Sequence, residues 1–130
     1  MPNNNPLPTV LEGIVNTRRT HLEGIAKRIA HVDVDNLPRS ERSLYDNLHG
    51  ATNAFIMECK SSSPSLGLIR EHYEPGAIAR IYSRYAAGIS VLCEPARFGG
   101  DYCHMQTVSL SSHLPVLCKD FLVDEVPIHA

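Results

Sequence analysis

The period of the hydrophobic positions changes near residue 54. Before it, Leu11, Ile14, Val15, Leu22, Ile25, Ala26 and Ile29 recur at three- and four-residue spacing on an otherwise charged stretch. That pattern predicts one amphipathic helix from a Thr9 cap to about His31. Arg18 and Arg19 interrupt the stripe and read most simply as a solvated face. "DVDNLPRS" reads as a linker, and Ser43 can cap a short helix, "LYDNL", stopped at Gly50. Residues 1–8, rich in Asn and Pro, read as a disordered arm.

After residue 54 short apolar runs alternate with helical stripes. "AFIMECK" reads as a strand that runs into a loop marked by Pro64 and Gly67. Pro75 suits the first turn of a helix along which Ile78, Ile81, Tyr82, Tyr85 and Ala86 hold a helical period, with Gly88 closing it. "ISVLC" is a second strand and "EPARFGG" a loop. Asp101 to Ser112 is a helix carrying Met105, Val108 and Leu110, and "LPVLCKDF" is a third strand. Asp124 starts a further helix, in whose first turn Pro127 is tolerated. Near-continuous apolar strands alternating with amphipathic helices imply an α/β fold of parallel βα units with right-handed crossovers. A doubly wound sheet and a (β/α)₈ barrel both begin this way. No GxGxxG follows the first strand, which weighs against dinucleotide binding.

Composition narrows the partners. With 130 residues, 43% of them apolar, and 12 Lys+Arg against 14 Asp+Glu, the chain reads as one globular domain. No field of one sign points to nucleic acid or a membrane. The N-terminus has no basic patch or apolar core of a signal peptide, and the expected location is the cytoplasm. Cys59, Cys93, Cys103 and Cys118 form no CxxC pair, and three of them sit in strand-like runs, which favours reduced core thiols over a disulfide framework. A zinc site from Cys103, His104, His113 and Cys118 is the weaker reading, because that spacing matches no known ligand pattern. His72, His104, His113 and His129 read as surface residues, and Tyr73, Tyr82 and Tyr85 as core or helix surface.

The chemistry suggested by the residues lies at the strand ends. In α/β architectures ligands sit beyond the carboxyl ends of the strands. Glu58 and Lys60, two residues apart, share one face at the end of the first strand, and Lys119 and Asp120 occupy the same place on the third. Cys59 precedes Lys60 as Cys118 precedes Lys119, so the two lysines are in phase and converge if both point inward. A lysine held there can act as a general acid, with the carboxylate balancing its charge. An ordinary Glu–Lys pair at a strand end is the plainer reading of the same spacing.

"FIMECKSSSPSLGLIREHYEPGAIARIY", "YAAGISVLCEPARFGGDY" and "LPVLCKDFLVDEVPIHA" resemble the first three βα units of indole-3-glycerol-phosphate synthase. "SLYDNL" and the long first helix match the extra helices that family places before its barrel. The resemblance covers the chain from residue 9, and its style is similar to bacterial forms fused to phosphoribosylanthranilate isomerase. It implies the N-terminal part of a (β/α)₈ TIM barrel, with residues 9–53 a helical extension and 54–130 three βα units. A whole barrel takes roughly 250 residues, so the barrel is not closed in this chain. The implied activity is the decarboxylating ring closure of 1-(2-carboxyphenylamino)-1-deoxyribulose 5-phosphate, a carboxy-lyase reaction of tryptophan biosynthesis, with no cofactor and no metal.

Carried over by motif, Lys119 is the general acid, Lys60 the second catalytic lysine that holds the anthranilate carboxylate, and Glu58 the carboxylate that orients both. Ser63 and Phe98 are the expected substrate contacts, although alone they read more readily as a turn residue and a core residue. Leu66 stands where the family commonly has Lys, and Asp101, a good helix cap, where it commonly has Ser. The family's general base, substrate Asn and phosphate cradle belong to later strands, so these 130 residues alone are expected to be inactive and prone to pairing at the open sheet edge. The implied partners are a C-terminal barrel half or a fused isomerase domain. The alternative of another class is a non-catalytic half-barrel that only assembles with a complementary fragment or with itself. A different barrel lyase, using Lys60 or Lys119 as a Schiff base, is the third.

Overall fold

A computed structural model describes residues 9–50 and 52–130. The expected arm at residues 1–8 lies outside the described residues. The chain divides into two compact units: the described residues through Leu37 together with Phe121–Ala130, and Pro38–Asp120. Residues 38–53, read above with the helical extension, fall in the same unit as the sheet.

The first unit is built on helix α1, Thr9–Arg28, which contacts a closing 3-10 turn at Val126–His129. Ile14 and Ile25 are buried as their spacing requires. Arg18 is not the solvated residue expected: it is only 3% exposed, and its Nη1 donates to His21 Nδ1 at 2.8 Å. It lies one turn from Ile14, on the stripe itself, and a guanidinium can be buried when its donors find acceptors. Arg19, one residue on, is exposed as expected. The helix expected from Asp124 is the 3-10 turn, entered where Asp124 Oδ1 accepts the Val126 N–H at 3.0 Å.

The second unit opens with α2, Leu44–His49, capped as expected by Ser43, whose hydroxyl accepts the Asp46 N–H. Strands β1 (Ile56–Cys59), β4 (Gly88–Leu92) and β5 (Val116–Lys119) form a parallel sheet in the order β1-β4-β5. Glu58 pairs with Ser90, Ser90 with Leu117, and Leu92 with Lys119. Between β1 and α3 the expected loop contains a small antiparallel pair, β2 (Ser62–Ser63) with β3 (Gly67–Leu68). The crossovers are α3, Pro75–Tyr82, and α5, Tyr102–Ser111, with a short α4, Pro95–Phe98, after β4. Asp101 Oδ1 caps α5 through the Cys103 N–H.

Odd-numbered positions of β4 point at the helices. Cys59, Ile89, Val91 and Cys93 join Ala79, Val108 and Leu114 in the core, flanked by Tyr73, Tyr82, Met105 and Val116. Glu58, Ser90 and Leu92, and Lys119 paired with Leu92 across β4–β5, face the other side, as period-2 alternation and the parallel register demand. Leu110 does not join the core: it lies two residues from Val108, on the far side of the helix, and is 82% exposed.

Gly88 corrects another expectation. It does not close α3, which ends at Tyr82, where Ser83 turns its hydroxyl back to the Ala79 carbonyl at 2.8 Å. Gly88 is the first residue of β4, and a Cβ there would stand 2.6 Å from Leu44 Cδ1. It is small because α2 packs onto the strand.

Candidate active site

Period 2 in β1 sets Glu58 and Lys60 on one face, and the parallel register through β4 sets Lys119 on the same face two strands away. Lys119 Nζ is 2.6 Å from Glu58 Oε2 and Lys60 Nζ is 3.7 Å from Glu58 Oε1. Each carboxylate oxygen thus faces a different ammonium. The first contact is a short charge-assisted hydrogen bond and the second a looser ion pair. The side chains are neither buried nor free in solvent: Glu58 is 30% exposed, Lys60 31% and Lys119 51%. At this exposure an isolated ion pair adds little stability.

The strand ends are fixed from the helix side. Tyr82 Oη donates to the Glu58 carbonyl at 3.1 Å, tying α3 to β1 beneath the carboxylate. Tyr102 Oη donates to Asp120 Oδ2 at 2.6 Å, tying the start of α5 to the residue after Lys119. Asp120 is therefore engaged by a tyrosine while its neighbour Lys119 is engaged by Glu58.

Ser63 is buried and its hydroxyl is used locally, accepting the Leu66 N–H at 3.1 Å across the tip of the β2–β3 pair. Leu66, at that tip, is exposed. Phe98 is half-buried at the last position of α4, whose carbonyls are gripped by the loop after β1. Ser61 Oγ donates to the Phe98 carbonyl at 3.0 Å, and Ser62 Oγ to the Arg97 carbonyl at 3.1 Å. The two loops bearing Ser63 and Phe98 are therefore stitched together.

Sequence reasoning missed Glu94. It was part of an undifferentiated loop, yet it is completely buried and caps α4. An acidic residue immediately before a proline is the signal that could have found it, since Pro favours the first helical position and an oxygen acceptor the position before it.

The cysteines divide by burial. Cys59 and Cys93 are buried while Cys103 and Cys118 are exposed, and all four are free thiols. Desolvation, helped by the nearby Glu58 charge and opposed by Arg70, pushes the Cys59 thiol up to about 11. Cys93 is pushed up further, by its hydrogen bond with Cys118 and by burial. His104 is not simply a surface residue: its ring meets Tyr73 edge-on with centroids 5.0 Å apart. Among the described residues no three His, Cys, Asp or Glu side chains gather as a metal site requires. None of the described helices is long and apolar enough to cross a membrane.

Parallel strands alternating with helices, with a charged cluster at the strands' carboxyl ends, place the molecule among the α/β proteins that bind ligands there, doubly wound sheets and (β/α)₈ barrels alike. The family model for indole-3-glycerol phosphate synthase matches residues 11–130, and the chain belongs to that family. Its three parallel strands are the opening part of the family's TIM barrel, an open sheet among the described residues. The tryptophan biosynthesis protein TrpCF of Corynebacterium glutamicum is 70% identical over 128 residues, covering 97% of this chain and 27% of that protein. TrpCF of Salmonella typhi is 40% identical over 124 residues (95% of this chain, 27% of the relative) and that of Helicobacter pylori 36% over 122 (94% and 26%). The chain thus spans 26–27% of the length of these curated relatives.

Proposed function

We propose that these residues supply the general-acid side of an indole-3-glycerol-phosphate synthase active site, in a carboxy-lyase of cytoplasmic tryptophan biosynthesis. The substrate is 1-(2-carboxyphenylamino)-1-deoxyribulose 5-phosphate. The ring carbon that bears the carboxylate attacks the ketone carbon, and Lys119 gives a proton to the ketone oxygen as it becomes a hydroxyl. The carboxylate leaves as carbon dioxide and returns its bonding electrons to the ring. Loss of the hydroxyl as water, with a ring-side proton going to a base, completes the indole.

In this reading Lys60 holds the anthranilate carboxylate, and Glu58 keeps the two ammoniums apart and favours the positive charge that develops on the ring as its carbon attacks the ketone. Phe98 walls the aromatic ring and Ser63 shapes the loop over it. Residues 9–53 serve as the helical extension and 54–130 as three βα units of the barrel. The general base and phosphate cradle come from the rest of the barrel, and a fused isomerase domain is the expected partner in the whole protein. The observation that carries the proposal is the meeting of Lys60 and Lys119 on the two oxygens of Glu58.

The test is turnover of this substrate by the complete protein, followed by indole fluorescence. Formation of indole-3-glycerol phosphate, abolished in Lys119→Ala, is the expected result. Undiminished turnover in Lys119→Ala rejects the assignment. Trapping of a substrate on Lys60 or Lys119 by borohydride favours Schiff-base chemistry instead. Assembly without turnover favours the non-catalytic half-barrel.

A further inference from the structure

Glu94 is fully buried, and its observed partners are backbone amides. Oε1 accepts the Ala96 N–H at 2.9 Å, and Oε2 accepts the Arg97 N–H at 2.8 Å and the Phe98 N–H at 3.0 Å. Its own carbonyl accepts the Gly100 N–H at 2.9 Å. One residue therefore organises four of the five N–H groups in the next six residues, Pro95 having none. A buried carboxylate is costly unless such donors surround it, and a serine or asparagine could cap the same turn without the charge. What the carboxylate adds is a grip on three successive amides at once, which leaves the turn one conformation.

Ser61 and Ser62 hold the other side of this turn through the Arg97, Phe98 and Gly99 carbonyls. Gly99 sits at φ +63°, where a Cβ would stand 2.6 Å from Ser61 Oγ, and a Cβ on Gly100 would stand 2.3 Å from the Leu92 carbonyl oxygen. The amide and the carbonyl of Phe98 are both held, the first by Glu94 and the second by Ser61.

We propose that Glu94 is a positioning residue that sets Phe98, and through it the wall against the substrate's aromatic ring. This rests on the reading of Phe98 as that wall. Because the wall grips the ring alike in ground and transition states, Glu94 governs aromatic binding rather than the proton transfer at Lys119.

The test is a double-variant cycle in the complete protein, read by fluorescence titration with anthranilate as the probe. Phe98→Ala and Glu94→Ala each weaken anthranilate about tenfold, and the double variant is no weaker than either alone. Glu94→Asp, a shorter carboxylate able to cap as Asp101 does, stays within about twofold of wild type. Glu94→Gln, which keeps the shape but turns one acceptor into a donor, falls between and serves if the alanine variant does not fold. Wild-type affinity in both Glu94→Ala and Glu94→Gln, or effects that multiply in the double variant, overturns the inference alone. Unchanged anthranilate binding in Phe98→Ala instead removes the reading of Phe98, and the inference with it.

Discussion

Two glutamates end neighbouring strands and live in opposite surroundings. Glu58, at the end of β1, is partly exposed and faces two ammoniums that can move away from it. Glu94, just beyond β4, is sealed from water and faces three amides that cannot. The same functional group is thereby given two tasks. A carboxylate among flexible cations can follow charge as it develops on a substrate, whereas a carboxylate among backbone amides can only hold the chain still. In the proposed function the first belongs to the chemistry, and the second to the shape of the wall beside it.

The largest effect that separates the two ends is expected at Lys119. Lys119→Ala should lower kcat by about 10²–10⁴-fold, the range for loss of a general acid, with a thermal melt close to wild type because the side chain is half-exposed. Glu58→Gln should follow, with kcat lower by about 10–10²-fold and again little change in melting. Glu94→Ala should reverse that pattern. Unfolding by urea should show a loss of about 1–2 kcal/mol from the lost cap, while kcat stays within about twofold. A Glu58 variant that melts early, or a Glu94 variant that loses only kcat, breaks the contrast.

The smallest effect concerns Cys59, beside Glu58 in β1. Its thiol is raised from the ordinary 9.0 to about 11 in the folded protein. Below 9.0 both folded and unfolded chains keep the proton, whereas between 9.0 and about 11 the unfolded chain releases it and the folded one does not. Stability therefore falls as pH rises through that window. Urea midpoints measured from pH 8 to 10.5 should decline less steeply in Cys59→Ala than in wild type. Parallel declines remove Cys59 from the account.

The β1 end was legible because alternation is a rigid rule: Glu58 and Lys60 must share a face, and the cysteine phase carried the same inference to Lys119. The α4 end was not. "EPARFGG" has too few apolar residues to display a period, and its order comes from one buried side chain meeting amides that any sequence possesses. Arg18 escapes the local rules for a related reason, since acceptors such as His21 Nδ1 meet its buried guanidinium, which spacing alone does not disclose. Gly88 looked like a helix stop because glycine often is one; its real constraint is the leucine of α2 packed against it. Local rules reached the elements and their faces, while long-range packing decided where each element ended and which polar residues were buried.

The most direct measurement is the coupling between Glu58→Gln and Lys119→Ala in kcat of the complete protein. If Glu58 and the lysines work as one charged unit, the double variant turns over hardly more slowly than Lys119→Ala alone. Rate losses that simply multiply would mean that the carboxylate and the ammonium act independently, and the shared site described here would not exist.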